Sequence, residues 1–404
     1  MTERKPLRPT YDAAVGLDPE RGDVPRFAYA LAKFTYVIQG TTAVLDEPEP
    51  LRHDVWTDEK FEGRFAPGSD YWVHRAACDV IVHGAAFATS GRASSMTVAL
   101  QVGSAVKRIA VFGKREVTWS QANVPVFQPP EPFTSIPLTH QYAYGGLDAR
   151  IPIPAEVRNQ YMDMVRAGLM FDHPGLYPRN PIGKGYLATR EPVKGFELPN
   201  LEDPQDLLTP ERLVVPSPEL WYKQPLPWCY EYTNGSMFPR LEYVGLHPWF
   251  PAPDDARLPE VARGYMPQQL GRRIEKEPEL GRLFYQEASP GLVIREDLAG
   301  RPFAVFGMHP EEASVAFQVP ADPRIEIGIE GVWSPAKPVM TNLVVYPKDK
   351  QFYVVYCART PLSRVFIPGI HKNIPVEARI NNDAVIRYES PPTIRDLLSA
   401  ARPA

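Results

Sequence analysis

In the clearest apolar stretches of this chain, hydrophobic positions recur with a period of two. Over 78–83, Cys78, Val80 and Val82 share one face, and over 97–102, Val98, Leu100 and Val102 alternate with Thr97, Ala99 and Gln101. That period belongs to half-buried strands. Gly103-Ser104-Ala105 then turns the chain and Ile109-Ala110-Val111-Phe112 returns it, so the spacing predicts a β-meander over 78–112. A second β region is predicted from Phe303 onward, where Ile325, Ile327 and Ile329 alternate with Glu326, Gly328 and Glu330. Two hairpins follow. Apolar runs at 343–346 and 352–356 flank a polar turn at 347–351, and runs at 376–380 and 384–388 flank Asn381-Asn382-Asp383.

Helical spacing is sparse. Val157, Tyr161, Met164 and Val165 after Pro154 predict a helix over 155–169; one or two helical turns each are expected at 207–208, 260–273 and 279–287, and a short helix over 391–398. The fold class predicted is therefore mainly β, with antiparallel, sandwich-like sheets, long Pro/Gly-rich loops and a few short helices. The chain divides into an N-terminal arm with first strands (1–66), a β module with Pro/Gly loops (67–150), a loop-rich insertion with short helices (151–300), and a second β module with a C-terminal helix (301–404).

The composition sharpens this picture at one point. Proline fills 46 of 404 positions, about twice its usual share, and it is accompanied by 19 Tyr, 18 Phe and 7 Trp. That combination argues against both a helical bundle and disorder. Three segments concentrate it: 132–138 running on to Tyr142-Ala143-Tyr144-Gly145-Gly146, then 180–186, then 198–204. Proline fixes φ, glycine permits φ > 0, and interleaved rings can pin a segment to a core, so these loops are expected to hold one shape. Candidate loop-shaping or partner-binding residues are Phe133, Tyr142, Tyr144, Gly145, Gly146, Asn180, Gly183, Gly185, Tyr186, Asn200 and Glu202. Trp221, Trp228 and Trp249, in the irregular aromatic stretch 216–253, complete the set.

Charge excludes some partners. With 44 basic and 48 acidic residues the net charge is −4, which offers no electrostatic footprint for nucleic acid or an anionic membrane. Cys78, Cys229 and Cys357 show no CxxC spacing, and no run of eighteen apolar residues or signal-like leader occurs, so cytoplasmic residence is the expectation. The eight histidines form no HxH, HxxxH or HExxH pattern, and no metal or cofactor is predicted. His140 reads as a structural hydrogen-bonding residue, with general base as its alternative role. Cys229, between Trp228 and Tyr230, reads as buried rather than activated. Gly183-Lys184-Gly185 lacks the spacing of a phosphate loop. Glu202 has no visible partner carboxylate, and Asp203 is expected to cap a short helix opened by Pro204. No catalytic residue is predicted.

The same loops carry a family resemblance. Asp70-Tyr71-Trp72, the run 78–86, the run 107–115, the three Pro/Gly loops, and with less specificity the stretches 306–310 and 317–320 are similar to a bacterial family of unknown domain function. That family is encoded beside type VI secretion effectors and is thought to act as their adaptor or chaperone. Its mid-region pattern is not recognisable over 216–253, and it has no established catalytic residues. The resemblance implies a non-enzymatic adaptor whose partner is a secretion effector toxin or a PAAR-like spike-tip protein. An exposed strand edge over 324–330 or 351–357 would add main-chain pairing. The competing expectation is a β-sandwich enzyme or carbohydrate-binding module that gathers His140, Asp148 and Glu202 in one cleft.

Overall fold

The computed structural model describes residues 10–17, 26–52, 69–151 (except 72, 74, 76, 90 and 149), 175–214 (except 176, 178, 179, 181 and 190), 224–232, 286–364 and 374–388 (except 384). The helices expected over 155–169, 260–273 and 391–398, and nearly all of 279–287, lie outside them. Among the described residues the chain is mainly β, with several antiparallel sheets and two three-residue 3-10 turns, His140–Tyr142 and Pro210–Arg212.

The largest sheet has seven strands. Its order runs Asp12–Leu17, Phe27–Gln39, Gln351–Pro361, Pro338–Tyr346, Cys78–Val82 and Val293–Ile294, with Thr42–Leu45 also on Phe27–Gln39. Only Pro338–Tyr346 beside Cys78–Val82 is parallel. A strand buried on both faces reads as a continuous apolar run, and Cys78–Val82 is buried at every position. The meander expectation is corrected here: Cys78–Val82 joins this sheet, while Ser95–Val102 pairs with Ala105–Phe112 and Pro302–Phe306 in another. A period of two records which side chains point inward, not which strand lies alongside.

That second sheet is Leu201–Glu202, Ala105–Phe112, Ser95–Val102, Pro302–Phe306 and Ser314–Gln318. Strands from both predicted β regions thus share sheets. A four-stranded sheet orders Val332–Ala336, Ile325–Ile329, Val376–Ile380 and Ile386–Tyr388. Both hairpins form: Val345 pairs with Phe352, and Val376 with Tyr388 across a turn in which Asn381 and Asn382 take φ of 51° and 65°. Asparagine tolerates that left-handed region better than other side chains. The expected edges are interior. Ile325–Ile329 is paired on both flanks, and so is Gln351–Pro361.

Two cores result. The main one spans the large sheets, and a smaller one gathers Val117, Tyr144, Tyr177, Tyr186, Leu187, Leu198, Leu208 and Leu213. The main interior also holds charge. The Lys33 ammonium, fully buried in a mostly apolar strand, donates to Asp70 at 3.2 Å and to the Pro50 carbonyl at 3.1 Å, and lies 3.9 Å from the centre of the Tyr353 ring. Arg75 pairs with Glu287 at 2.5 Å and Asp79 at 3.6 Å, while Asp79 accepts hydrogen bonds from the Gln286 side chain and the Glu287 amide. Such networks hold only while every member is satisfied, because removing one leaves a buried charge uncompensated. No helix among the described residues is long and apolar enough to cross a membrane.

Candidate functional site

The Pro/Gly loops interlock. Tyr144–Gly145 and Lys184–Gly185 run parallel as paired strands, and Asn180 ties them to the preceding turn. Its side-chain amide donates to the carbonyls of His140 at 2.7 Å and Tyr144 at 3.1 Å. Its own carbonyl accepts from the Gly146 amide at 2.8 Å. The glycines are demanded by proximity: a Cβ on Gly145 would lie 2.1 Å from the Asn180 oxygen, and one on Gly146, at φ +98°, 2.4 Å from the Gly183 oxygen. Both obstacles are backbone, which cannot swing aside.

The third loop locks onto the second sheet. Asn200 accepts a backbone hydrogen bond from Phe112 at 2.8 Å and donates its side-chain amide to the Phe112 carbonyl at 2.8 Å. Glu202 takes the Arg115 guanidinium on one oxygen and the Leu208 amide on the other at 2.6 Å, so its charge closes a loop. The helix expected after Asp203 does not form. The Asp203 side chain accepts instead from the Gln205 amide at 2.9 Å, an Asx turn that competes with helix initiation.

Burial sorts the predicted residues. Tyr144 and Tyr186 are 1% and 2% exposed, and with Tyr177 they form an aromatic triad with ring centres 5.0–6.5 Å apart inside the smaller core. Asn180, Asn200, Glu202, Gly145, Gly146 and Gly185 are buried as well. These side chains set the shape of the platform from within. Phe133, Tyr142, Trp228 and Gly183 are half-buried and reach its outer layer, whereas Trp221 and Trp249 lie outside the described residues. His140, Asp148 and Glu202 each have separate partners: Asp148 holds Arg150 and the Ala188 amide. Arg150 and the Ala188 amide hold the Asp148 carboxyl below its usual range against the opposing effect of burial.

Ionisable groups gather elsewhere, around Cys229, which is buried as its neighbours Trp228 and Tyr230 imply. The Cys229 sulfur lies 3.4 Å from both ring nitrogens of His140 and 3.6 Å from the Ser289 hydroxyl. His140 Nδ1 is 3.7 Å from the Glu231 carboxylate, which also accepts the His140 amide at 3.2 Å. Burial alone would lower the His140 imidazole, but Cys229 and Glu231 outweigh it and carry the pKa to about 9. Burial would likewise raise the Cys229 thiol, yet His140 and then Lys107 bring it below the usual thiol value, against Glu231. The residues come from positions 107, 140, 229, 231 and 289, and no local pattern announces such an assembly.

Lys107 links this cluster to a cavity of about 250 Å³. Its walls include Lys107, Arg108, Asp203, Trp228 and Pro290. The buried Lys107 ammonium donates to the Pro290 carbonyl at 3.0 Å and sits 4.1 Å from the centre of the Trp228 ring, whose own N–H donates to the Arg108 carbonyl at 2.7 Å. Desolvation pushes this lysine down to about 7, with Cys229 and Asp203 opposing.

Sheets cross-braced by glycine-locked loops, with a small ionisable cavity at their margin, define a β-rich scaffold. The chain belongs to a family of uncharacterized proteins conserved in bacteria (DUF2169), whose model matches residues 26–357. Comparison with curated proteins and with solved structures gives no match.

Proposed function

We propose that this protein is a non-enzymatic adaptor or chaperone that binds a type VI secretion effector, or a PAAR-like spike-tip protein, and assists its loading. Holding cargo before export is a cytoplasmic task. The observation that carries the reading is the interlock of the three loops: Asn180 and the apposed glycines fix a surface whose order does not have to be acquired on binding. Half-buried Phe133, Tyr142 and Trp228 at its outer layer supply apolar contact of the kind that anchors protein interfaces. The resemblance at these same loops supplies the secretion context.

Main-chain pairing with cargo belongs to different strands from those expected. Ser314–Gln318 and Val332–Ala336 are each paired along one flank only among the described residues. Val332 is 72% exposed, and Pro335 limits the pairing available to its strand. The test is affinity capture of the tagged, folded protein from native lysate. Recovery of a stoichiometric effector or spike-tip protein is the expected result, and recovery of neither contradicts the proposal.

A further inference from the structure

Most cysteines buried in a β-sheet core touch carbonyls and apolar side chains, and two of the three here fit that description. Cys78 and Cys357 contact main-chain oxygens at 3.8 and 3.7 Å. Cys229 differs in every neighbour, with an imidazole, a serine hydroxyl, a carboxylate behind the imidazole and a lysine ammonium in the adjoining wall. Burying this many polar groups around one sulfur costs stability unless they are mutually satisfied, and their order is nucleophile, base and base-orienting acid.

We propose that Cys229 is a peroxide-sensitive thiol, activated by His140 and Glu231 and reached through the cavity walled by Lys107, Trp228 and Pro290. The burial of the sulfur selects the reagent. Cys229 is 0% exposed and does not itself line the cavity, which excludes bulky acyl substrates; Trp228 and Pro290, the chain neighbours of Cys229 and Ser289, do line it, and it holds several molecules the size of water, so a reagent must be small enough to pass that wall. Hydrogen peroxide is of that size. In the reaction the Cys229 thiolate attacks one peroxide oxygen, the S–O bond forms as the O–O bond breaks, and hydroxide leaves with the electron pair. That hydroxide takes the proton of the His140 imidazolium and departs as water. Sulfur is oxidised by two electrons to the sulfenic acid, and peroxide is reduced.

Product and reactant differ in a way the fold can register. Sulfenylation removes the negative charge lying between His140 and Lys107 and adds an oxygen to a fully packed position. The His140 carbonyl is one of the two that Asn180 holds, so the cluster and the loop platform share a residue. The inference needs no partner, and it stands or falls independently of the adaptor reading.

The test treats the full chain, folded, with low hydrogen peroxide, quenches the peroxide, unfolds the chain in dimedone so that the trap reaches every cysteine, and locates the adduct by mass spectrometry. Cys78 and Cys357 are internal controls for unfolding, since both are buried. The expected result is adduct on Cys229 at least tenfold above either control, with an initial rate that rises less steeply between pH 6 and 8 than an ordinary thiol's. His140→Gln should slow labelling at least tenfold. Should that variant not fold, the wild-type pH profile decides: the groups facing the sulfur are His140, Glu231, Lys107 and Ser289, and without their effect the rate rises about tenfold per pH unit, as for an ordinary thiol. Equal labelling of the three cysteines, or that ordinary profile, overturns the proposal.

Discussion

The loop platform and the Cys229 cavity adjoin one another, yet they are ordered by opposite means. The platform is fixed mostly by backbone, with the Arg115–Glu202 pair its charged exception: amide-to-carbonyl bonds, glycines pressed against carbonyl oxygens, and an interior of three tyrosine rings. The cavity is fixed by ionisable groups that are out of water, with Lys107 and His140 shifted in opposite directions. Order held in backbone shape is insensitive to pH and fails only when sterics break it. Order held in buried charge responds to protons and oxidants. A scaffold that must present one surface under changing conditions is better served by the first, and reactivity belongs to the second.

The largest effect should come from breaking the platform sterically. Gly145→Val places a Cβ 2.1 Å from the Asn180 carbonyl oxygen, where no side chain can yield. Denaturant melts should show a loss of about 3 kcal/mol or more, or failure to fold, at the upper end of what core overpacking costs. Removing the tie instead of crowding it should do less. Asn180→Ala leaves the Tyr144 carbonyl without its Asn180 donor, while the His140 carbonyl keeps the Ala143 amide, and an expected loss of about 1–3 kcal/mol follows from one unsatisfied buried acceptor. Both losses should be nearly independent of pH.

Lys107→Met sharpens the contrast, because its effect should depend on pH. In the folded protein Lys107 titrates near 7, below the ordinary 10.5, so between those values the unfolded chain binds a proton that the folded chain does not. Wild-type stability therefore gains from this group as pH rises across that window, by at most about 1.4 kcal/mol per pH unit, and loses the gain as pH falls to 7. His140 acts in the other sense. Its folded pKa lies above the ordinary value, so its contribution is complete below pH 6.5 and is lost as pH rises through about 9. Comparing wild type with Lys107→Met isolates the lysine: the difference in melting temperature should move in favour of the wild type from pH 7 to pH 10. Smallest of all should be Val332→Ser, at a position 72% exposed on a flanking strand, with a change within about 0.5 kcal/mol by thermal melt.

What was legible in the sequence follows the same division. Strand alternation, the two hairpins and the Asn381-Asn382 turn are local properties, and proline and glycine mark where the backbone is constrained. The buried Lys33 also had a visible signal, since one lysine interrupts a mostly apolar strand as its only charged residue. Sheet membership was not legible, because the partners of Cys78–Val82 lie more than two hundred residues away at Pro338–Tyr346 and Val293–Ile294. Tyr144 and Tyr186 illustrate another limit: a ring in a Pro/Gly loop looks the same in sequence whether it faces a partner or, as here, a private core. Cys229 shows a similar limit. Burial was readable from Trp228 and Tyr230 on either side, but the imidazole, the carboxylate and the lysine arrive from distant segments.

The central claim is that the interlocked loops exist to hold another protein, and it is tested most directly by quantitative capture with tagged wild-type and Asn180→Ala proteins from native lysate, under conditions where both remain folded. The account predicts that the wild type retains a stoichiometric secretion effector or spike-tip protein and that Asn180→Ala loses most of it. Undiminished retention by the variant, or no such partner on the folded wild type, would contradict it.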